Sequence, residues 1–326
     1  MLFTRQEVLL GRCLRIYQVY SAKSLTDPNS CRLLRVIKSQ NFSVHDLAFV
    51  DAPAFHIILD NSSNGEIYNL AIRGGDHGGL DGLDVTGTNI HVHDVMVTNR
   101  DECVTVKSPS SNILIEQIYC NWSGGCAIGS LGANTAISNV LYQKVYTSNA
   151  NQMMMIKSNG GSGYVKNAQF NNFIGYKTAY SLNVDQAWSS QSVAAGSGVQ
   201  LSNMTFSNWK GTCADGNARG PIQFKCDADV PCTSMTVSDF AMWTEKGSTL
   251  KFICQNAYGS GACLKSGSGG TYSVTQTISS PPSGYTAAKM PDDLQTAFGF
   301  TAEIPIPTIP ASFYPGTTPL KPLAKA

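Results

Sequence analysis

Asp101 and Glu102 stand side by side in the stretch NRDECVTV (99–106), and Asp81 lies upstream in GLDG (79–82). Adjacent carboxylates repel, so a third acid brought beside them raises at least one pKa. A cluster with one protonated and one ionised carboxyl can hydrolyse a glycosidic bond. The first donates a proton to the leaving oxygen, and the second activates water or attacks. A lone acid at a strand end is ordinarily a solvated turn residue. The chemistry therefore depends on whether the fold brings the three together.

Short segments with one shared pattern recur along the chain: FSVHDLAFV (42–50), GEIYNLAI (65–72), IHVHDVMV (90–97), ILIEQIYC (113–120), VLYQKVY (140–146), AQFNNFIG (168–175), MTFSNWKG (204–211) and MTVSDFAMW (235–243). Each alternates apolar residues around one polar position: Asp46, Asn69, Asp94, Gln117, Lys144, Asn172, Asn208 and Asp239. A second series is interleaved: HIIL (56–59), LDVTG (83–87), CVTVKS (103–108), CAIGS (126–130), MMIKS (154–158), YSLNV (180–184) and PIQFKC (221–226). Two short strands per irregular repeat, joined by Gly, Asn and Ser turns, predict an all-β parallel β-helix. A β-sandwich also has many short strands, but it does not place polar residues at one phase across so many of them.

Stacked coils lie about 4.8 Å apart, so register brings distant residues together. With Val85, Val106 and Ile128 aligned, Asp81, Glu102 and Gly124 fall four positions before the anchor. Asp101 is one step from Glu102, and Gly82, Cys103 and Gly125 come next. On the other side of the anchor lie Thr86, Lys107 and Gly129, and one coil later Lys157 follows Ile156. Asp60 closes the preceding strand and approaches from the neighbouring coil. The expected site is thus three acids over a glycine floor, flanked by lysines.

The rest of the composition sets bounds. The formal net charge is +1 and only 14% of the 326 residues are charged, which gives no global attraction to nucleic acid or to a membrane surface. No apolar run has membrane-spanning length. Ten cysteines in a polar, β-rich chain point to an oxidising compartment. Cys226/Cys232 and Cys254/Cys263 are close pairs, and Cys103/Cys120 is a third candidate. No CxxC and no histidine cluster accompanies the cysteines, so no metal is expected. Four sequons (Asn41, Asn61, Asn121, Asn203) fit secretion. The start, MLFTRQEVLLGRCLRIYQVY, has charges among its apolar residues and no small-residue cleavage site, so it does not read as a signal peptide. The expectation is that the natural start lies upstream. Residues 1–38 form an atypical N-terminal segment, 39–265 the β-helix and 266–326 a Pro/Gly/Ser-rich tail along the helix or partly disordered.

These stretches resemble glycoside hydrolase family 28, the pectin-hydrolysing enzymes that include polygalacturonases and rhamnogalacturonases. Polygalacturonases carry NTDG, an Asp-Asp-Cys segment, GHG and RIK on successive coils. In the same order this chain has GLDG (79–82), NRDEC (99–103), SGGCAIGS (123–130) and MIK (155–157). Glu102 replaces the second Asp, Gly124 the histidine and Met155 the arginine. Together with CNWSGGCAIGSLG, these departures look like the fungal rhamnogalacturonase branch, and the likeness extends to IPIPTIPASFYPG near the C-terminus.

The resemblance implies a right-handed, pectin-lyase-like solenoid and a monomeric extracellular hydrolase acting on the pectic polysaccharide rhamnogalacturonan, with no cofactor. By motif, Asp101 matches the general acid, while Asp81 and Glu102 match the acids that position and deprotonate water. The family inverts, which calls for carboxyls about 6.5–9.5 Å apart. Lys157 matches the residue that binds a galacturonate carboxylate, and Lys107, Asp60 and Asp84 are further subsite candidates. Tyr180, Trp188 and Trp122 could offer sugar-stacking faces. The resemblance pairs Cys103 with Cys120, tethering the acid-bearing turn to the next coil. Cys126, facing inward at a strand start, reads as a small core residue and not as a bridge. Alternatives are another pectin-active β-helix enzyme, a polygalacturonase or a lyase, and an inactive β-helix lacking its first coils.

Overall fold

In a computed structural model the protein is described over residues 32–50, 52, 54–74, 79–213, 220–245, 247, 249–283 and 285, with the backbone of Leu2–Phe3, Glu7–Leu10 and Leu14–Ile16. The terminal IPIPTIPASFYPG lies outside the described residues. The strands pair in parallel, coil upon coil, as a β-helix. Strand Leu83–Thr98 shows why: its apolar residues Leu83, Val85, Ile90, Val92, Val95 and Val97 are all buried, in three short runs separated by bends.

The anchors read from the sequence stack as expected. Val36, Leu59, Val85, Val106, Ile128, Ile156, Val184, Phe224 and Cys254 pair in one continuous ladder. A second interior column runs Val44, Ile67, Val92, Ile115, Tyr142, Phe170, Phe206 and Val237. The Phe170 and Phe206 rings stack at 4.7 Å within it. Stacking identical environments lets each coil bury apolar surface that it could not bury alone.

The recurring polar residues do more than face outward. Asp46, Asn69, Asp94, Gln117, Lys144, Asn172, Asn208 and Asp239 all have φ between +50° and +60°, so they make the corner between two runs of each coil. Asn and Asp tolerate this left-handed conformation better than most residues, which explains their recurrence. At the other corner Asn41, Asn64, Asn89, Asn112, Asn139, Asn167 and Asn203 share the conformation and form a ladder. From Asn64 onward each side-chain amide donates to the amide oxygen one coil back, at 2.8–3.2 Å. Two of the four sequons, at Asn41 and Asn203, sit on this ladder. Asn121 is buried, which puts its amide out of reach in the folded chain.

Beyond the last full coil, Ser273–Ile278 adds antiparallel to Leu250–Gln255, so the described part of the tail packs on the helix end. Val274, Ile278 and Tyr285 lie against the core there. Among the described residues three disulfides close: Cys103–Cys120, Cys226–Cys232 and Cys254–Cys263. Cys103 and Cys120 both belong to Glu102–Asn121, so this bond closes one coil on itself instead of tying it to the next. Cys126 is free and buried, packed in the core.

Candidate active site

The acid-bearing turn is held by its own backbone before any substrate arrives. Asn99 donates from its amide to the carbonyls of Leu80 (2.7 Å) and Glu102 (2.8 Å), clamping two coils together. The Glu102 backbone N–H donates to Asp101 Oδ1 at 2.8 Å, and the Gly79 N–H donates to Asp101 Oδ2. The Gly124 N–H donates to the Asp101 carbonyl at 2.6 Å, and a Cβ on Gly124 would lie 2.9 Å from the Asp101 carbonyl carbon. The glycine matching the histidine motif is thus a steric requirement of the turn.

This turn opens onto a cleft of ≈ 720 Å³ lined by Asp81, Asp101, Glu102, Lys107, Lys157 and Tyr180 among others. Oxygens of Asp81, Asp101 and Glu102 all lie within 4.8 Å of one another. Their nearest atoms are therefore closer than the 6.5–9.5 Å or so expected between inverting carboxyls. Lys157 is only 4% exposed: its Nζ donates to Glu102 Oε1 and lies 4.3 Å from the centre of the Trp188 ring. Lys107 Nζ is 3.5 Å from Asp84 and 3.8 Å from Asp81.

The charges divide unevenly. Burial, then the neighbouring Asp84, Glu102 and Asp101, push the Asp81 carboxyl up to about 9. Burial also raises Asp101, reinforced by Glu102. For Glu102 burial opposes ionisation, but Lys157 and Lys107 outweigh it and hold the carboxyl below its ordinary range. A side-chain hydrogen bond between Asp101 and Glu102 favours a proton on the first and a charge on the second. Asp84 is raised by burial to about 6, with Lys107 opposing. Lys107, although burial disfavours its charge, is raised by Asp84, Asp81 and Glu102. One carboxyl pushed toward ionisation therefore sits beside two pushed toward protonation, Asp81 the more strongly.

Asp60 is placed elsewhere: it pairs with Arg35 and does not line the cleft. Trp122 also lies outside, beneath the Arg100 guanidinium at 5.0 Å from the ring centre. Asp84 is turned toward Lys107, not toward solvent. The cleft wall also carries a polar ladder that the strand spacing alone does not mark. Gln223 donates to Asn183 at 2.9 Å, and Asn183 reaches Gln152 at 3.4 Å. Extending the anchor ladder would have found Asn183 and Gln223, since each alternates with buried Leu182 and Val184 or Ile222 and Phe224.

As a possible cation site the three acids have the right atoms, yet Lys157 and Lys107 already supply positive charge there. The donor set fits proton chemistry better than a divalent ion.

Glycosyl hydrolases family 28 matches residues 17–264, reaching into the N-terminal segment set apart above. A probable rhamnogalacturonase A of Aspergillus niger is 61% identical over 301 residues, covering 92% of this chain and 68% of the relative. Rhamnogalacturonase A of Emericella nidulans is 58% identical over 311 residues, 95% of this chain. The chain spans only 61% of that relative's length. Among solved structures, endo-xylogalacturonan hydrolase from Aspergillus tubingensis superposes with a TM-score of 0.62 at 22% identity, over 73% of this chain and 68% of the other. A Thermotoga maritima exopolygalacturonase gives 0.57 at 16% identity, over 77% and 58%. At such identities the likeness carries the fold alone, and that fold is the β-helix.

Proposed function

The chain belongs to glycosyl hydrolases family 28, and on that premise we propose that it hydrolyses the α-1,2 bond between galacturonate and rhamnose in rhamnogalacturonan, with inversion. The observation that carries this reading is the split within the adjacent pair: Asp101 favours its proton while Glu102 stays ionised against Lys157. Asp101, the more exposed of the two acids whose surroundings favour the protonated form, donates to the leaving glycosidic oxygen. Glu102 draws the proton from the attacking water, and neutral Asp81 donates a hydrogen bond that orients it.

The bond itself is inferred from relatives named rhamnogalacturonase. Tyr180 and Trp188 offer faces for stacking sugar rings along the wall. Lys157 meets a galacturonate carboxylate only by sharing its ammonium with Glu102, which couples substrate binding to the charge on the base. Lys107 supports the site by offsetting Asp81 and Asp84. The three disulfides favour an extracellular setting. In this reading the protein acts as a monomer, as the family likeness implies.

The test is to incubate the protein with rhamnogalacturonan and with homogalacturonan while following reducing ends and unsaturated products. New reducing ends on rhamnogalacturonan alone, with no unsaturated sugar, are expected. Ultraviolet absorbance from an unsaturated product would overturn the hydrolase, and preference for homogalacturonan would overturn the bond. Asp101→Asn should lower the rate by about 10²–10⁴-fold; full activity in that variant removes Asp101 as the acid.

A further inference from the structure

Away from the cleft, the face of the helix that carries the segments GEIYNLAI and IHVHDVMV gathers Glu66, His91 and His93, none of which lines the cleft. Glu66 and His91 are register partners on adjacent coils, and Tyr68 pairs with His93 beside them. We propose that Glu66, His91 and His93 form a surface site for a divalent transition metal of the zinc class, bridging the two coils.

The geometry carries this. His93 Nε2 lies 3.2 Å from Glu66 Oε1, and His91 Nδ1 lies 3.8 Å from the same oxygen. Ligand atoms held at zinc bond lengths in a tetrahedron are about 3.4 Å apart, so a metal fits among the three with small rotamer adjustments. Each ring's other nitrogen is engaged by a carboxylate. His93 Nδ1 meets Asp94 Oδ2 at 2.7 Å, and His91 Nε2 meets Glu116 Oε1 at 3.0 Å. A carboxylate on the far nitrogen fixes the tautomer that turns a lone pair toward the metal and strengthens the ligand. Two histidines that independently show this arrangement, both aimed at one shared carboxylate, exceed what a solvated acidic patch provides.

The rings are also held in place. His93 stacks on Tyr68 at 5.0 Å with an interplanar angle of 1°, Tyr68 stacks on His45 at 4.7 Å, and His91 lies 4.3 Å from His93. Glu66 is half exposed, so an ion enters from solvent and a water completes its coordination. In sequence the site is only H-x-H on one strand and a glutamate one coil earlier, too sparse to stand out from spacing alone.

The test is a calorimetric titration of the full chain with Zn²⁺, alongside anomalous diffraction at the zinc edge from soaked crystals. One ion per chain with its anomalous peak among Glu66, His91 and His93 is expected. His91→Gln and His93→Gln should each weaken binding at least tenfold. Asp94→Asn, which touches no metal, should weaken it about tenfold through the tautomer. His45→Gln, adjacent in the stack but not a ligand, should leave it unchanged. The proposal is overturned by no peak at these residues, by a peak at the cleft acids alone, or by affinity that survives both histidine substitutions.

Discussion

The Lys157 ammonium reaches back two coils to the Glu102 carboxylate, passing over Gly129, which occupies the same phase on the coil between. A Cβ at Gly129 would lie 3.1 Å from Lys157 Cγ and 2.5 Å from the Lys157 carbonyl oxygen. The absent side chain is what lets the lysine fold over. Glu102 is thereby kept charged in a buried setting, where an unpaired carboxylate would take up a proton.

Lys157→Met removes that charge. The Glu102 pKa should rise, since its largest favourable influence is lost while burial remains. A base that must be ionised then works only at higher pH. The acidic limb of the kcat/KM profile should move upward, with at least a tenfold loss at the wild-type optimum. An unmoved limb would separate Glu102 from the base role.

Asp81 makes the opposite contribution. Its folded pKa is raised from 3.8 to about 9, so its stability contribution is complete below the unfolded value and is lost as pH rises toward 9. Asp81→Asn removes that dependence. The variant should gain Tm over the wild type progressively between pH 5 and 9, by several degrees at the upper end, while losing activity. A constant difference across that range would contradict the shift. Glu102, with a lowered pKa, acts in the other sense: its contribution is present above the unfolded value and lost as pH falls.

The stereochemistry of the first product checks the arrangement of the acids directly. Inversion of an α bond gives a β reducing end, visible by proton NMR before mutarotation. The close approach of the carboxylate oxygens makes this a sharp test, because nearer carboxyls serve a retaining mechanism. An initial α anomer would mean that an acid attacks the sugar itself.

Gly124→Ala probes the floor of the turn. The new Cβ, 2.9 Å from the Asp101 carbonyl carbon, must push the acid-bearing backbone away. A displacement of even part of an ångström misaligns donor and water, so kcat should fall by about tenfold or more with KM little changed. The matching Ala at Gly132, where nothing lies within 4 Å of a Cβ, should leave kcat as it is.

Two things were legible in the amino-acid sequence because a β-helix repeats its environment. The apolar anchors and the polar corner residues recur at fixed phase, so the ladder Val85–Val106–Ile128–Ile156 and the convergence of Asp81, Asp101 and Glu102 followed from alignment alone. The three disulfides were readable for a related reason: their partners lie within a coil's length of each other. Phase, however, fixes only which face a residue takes. Whether Lys157 meets substrate or Glu102 depended on an empty position in the coil between them. Asp60 shares the phase of Lys107 yet turns to Arg35, because long side chains choose partners by reach and burial as well as by register. The corner asparagines needed backbone conformation to reveal their ladder, and Glu66 needed a neighbouring coil to meet two histidines. Register is a one-dimensional property that the chain writes down. The pairing of charges across coils is decided by space, and only the folded helix supplies it.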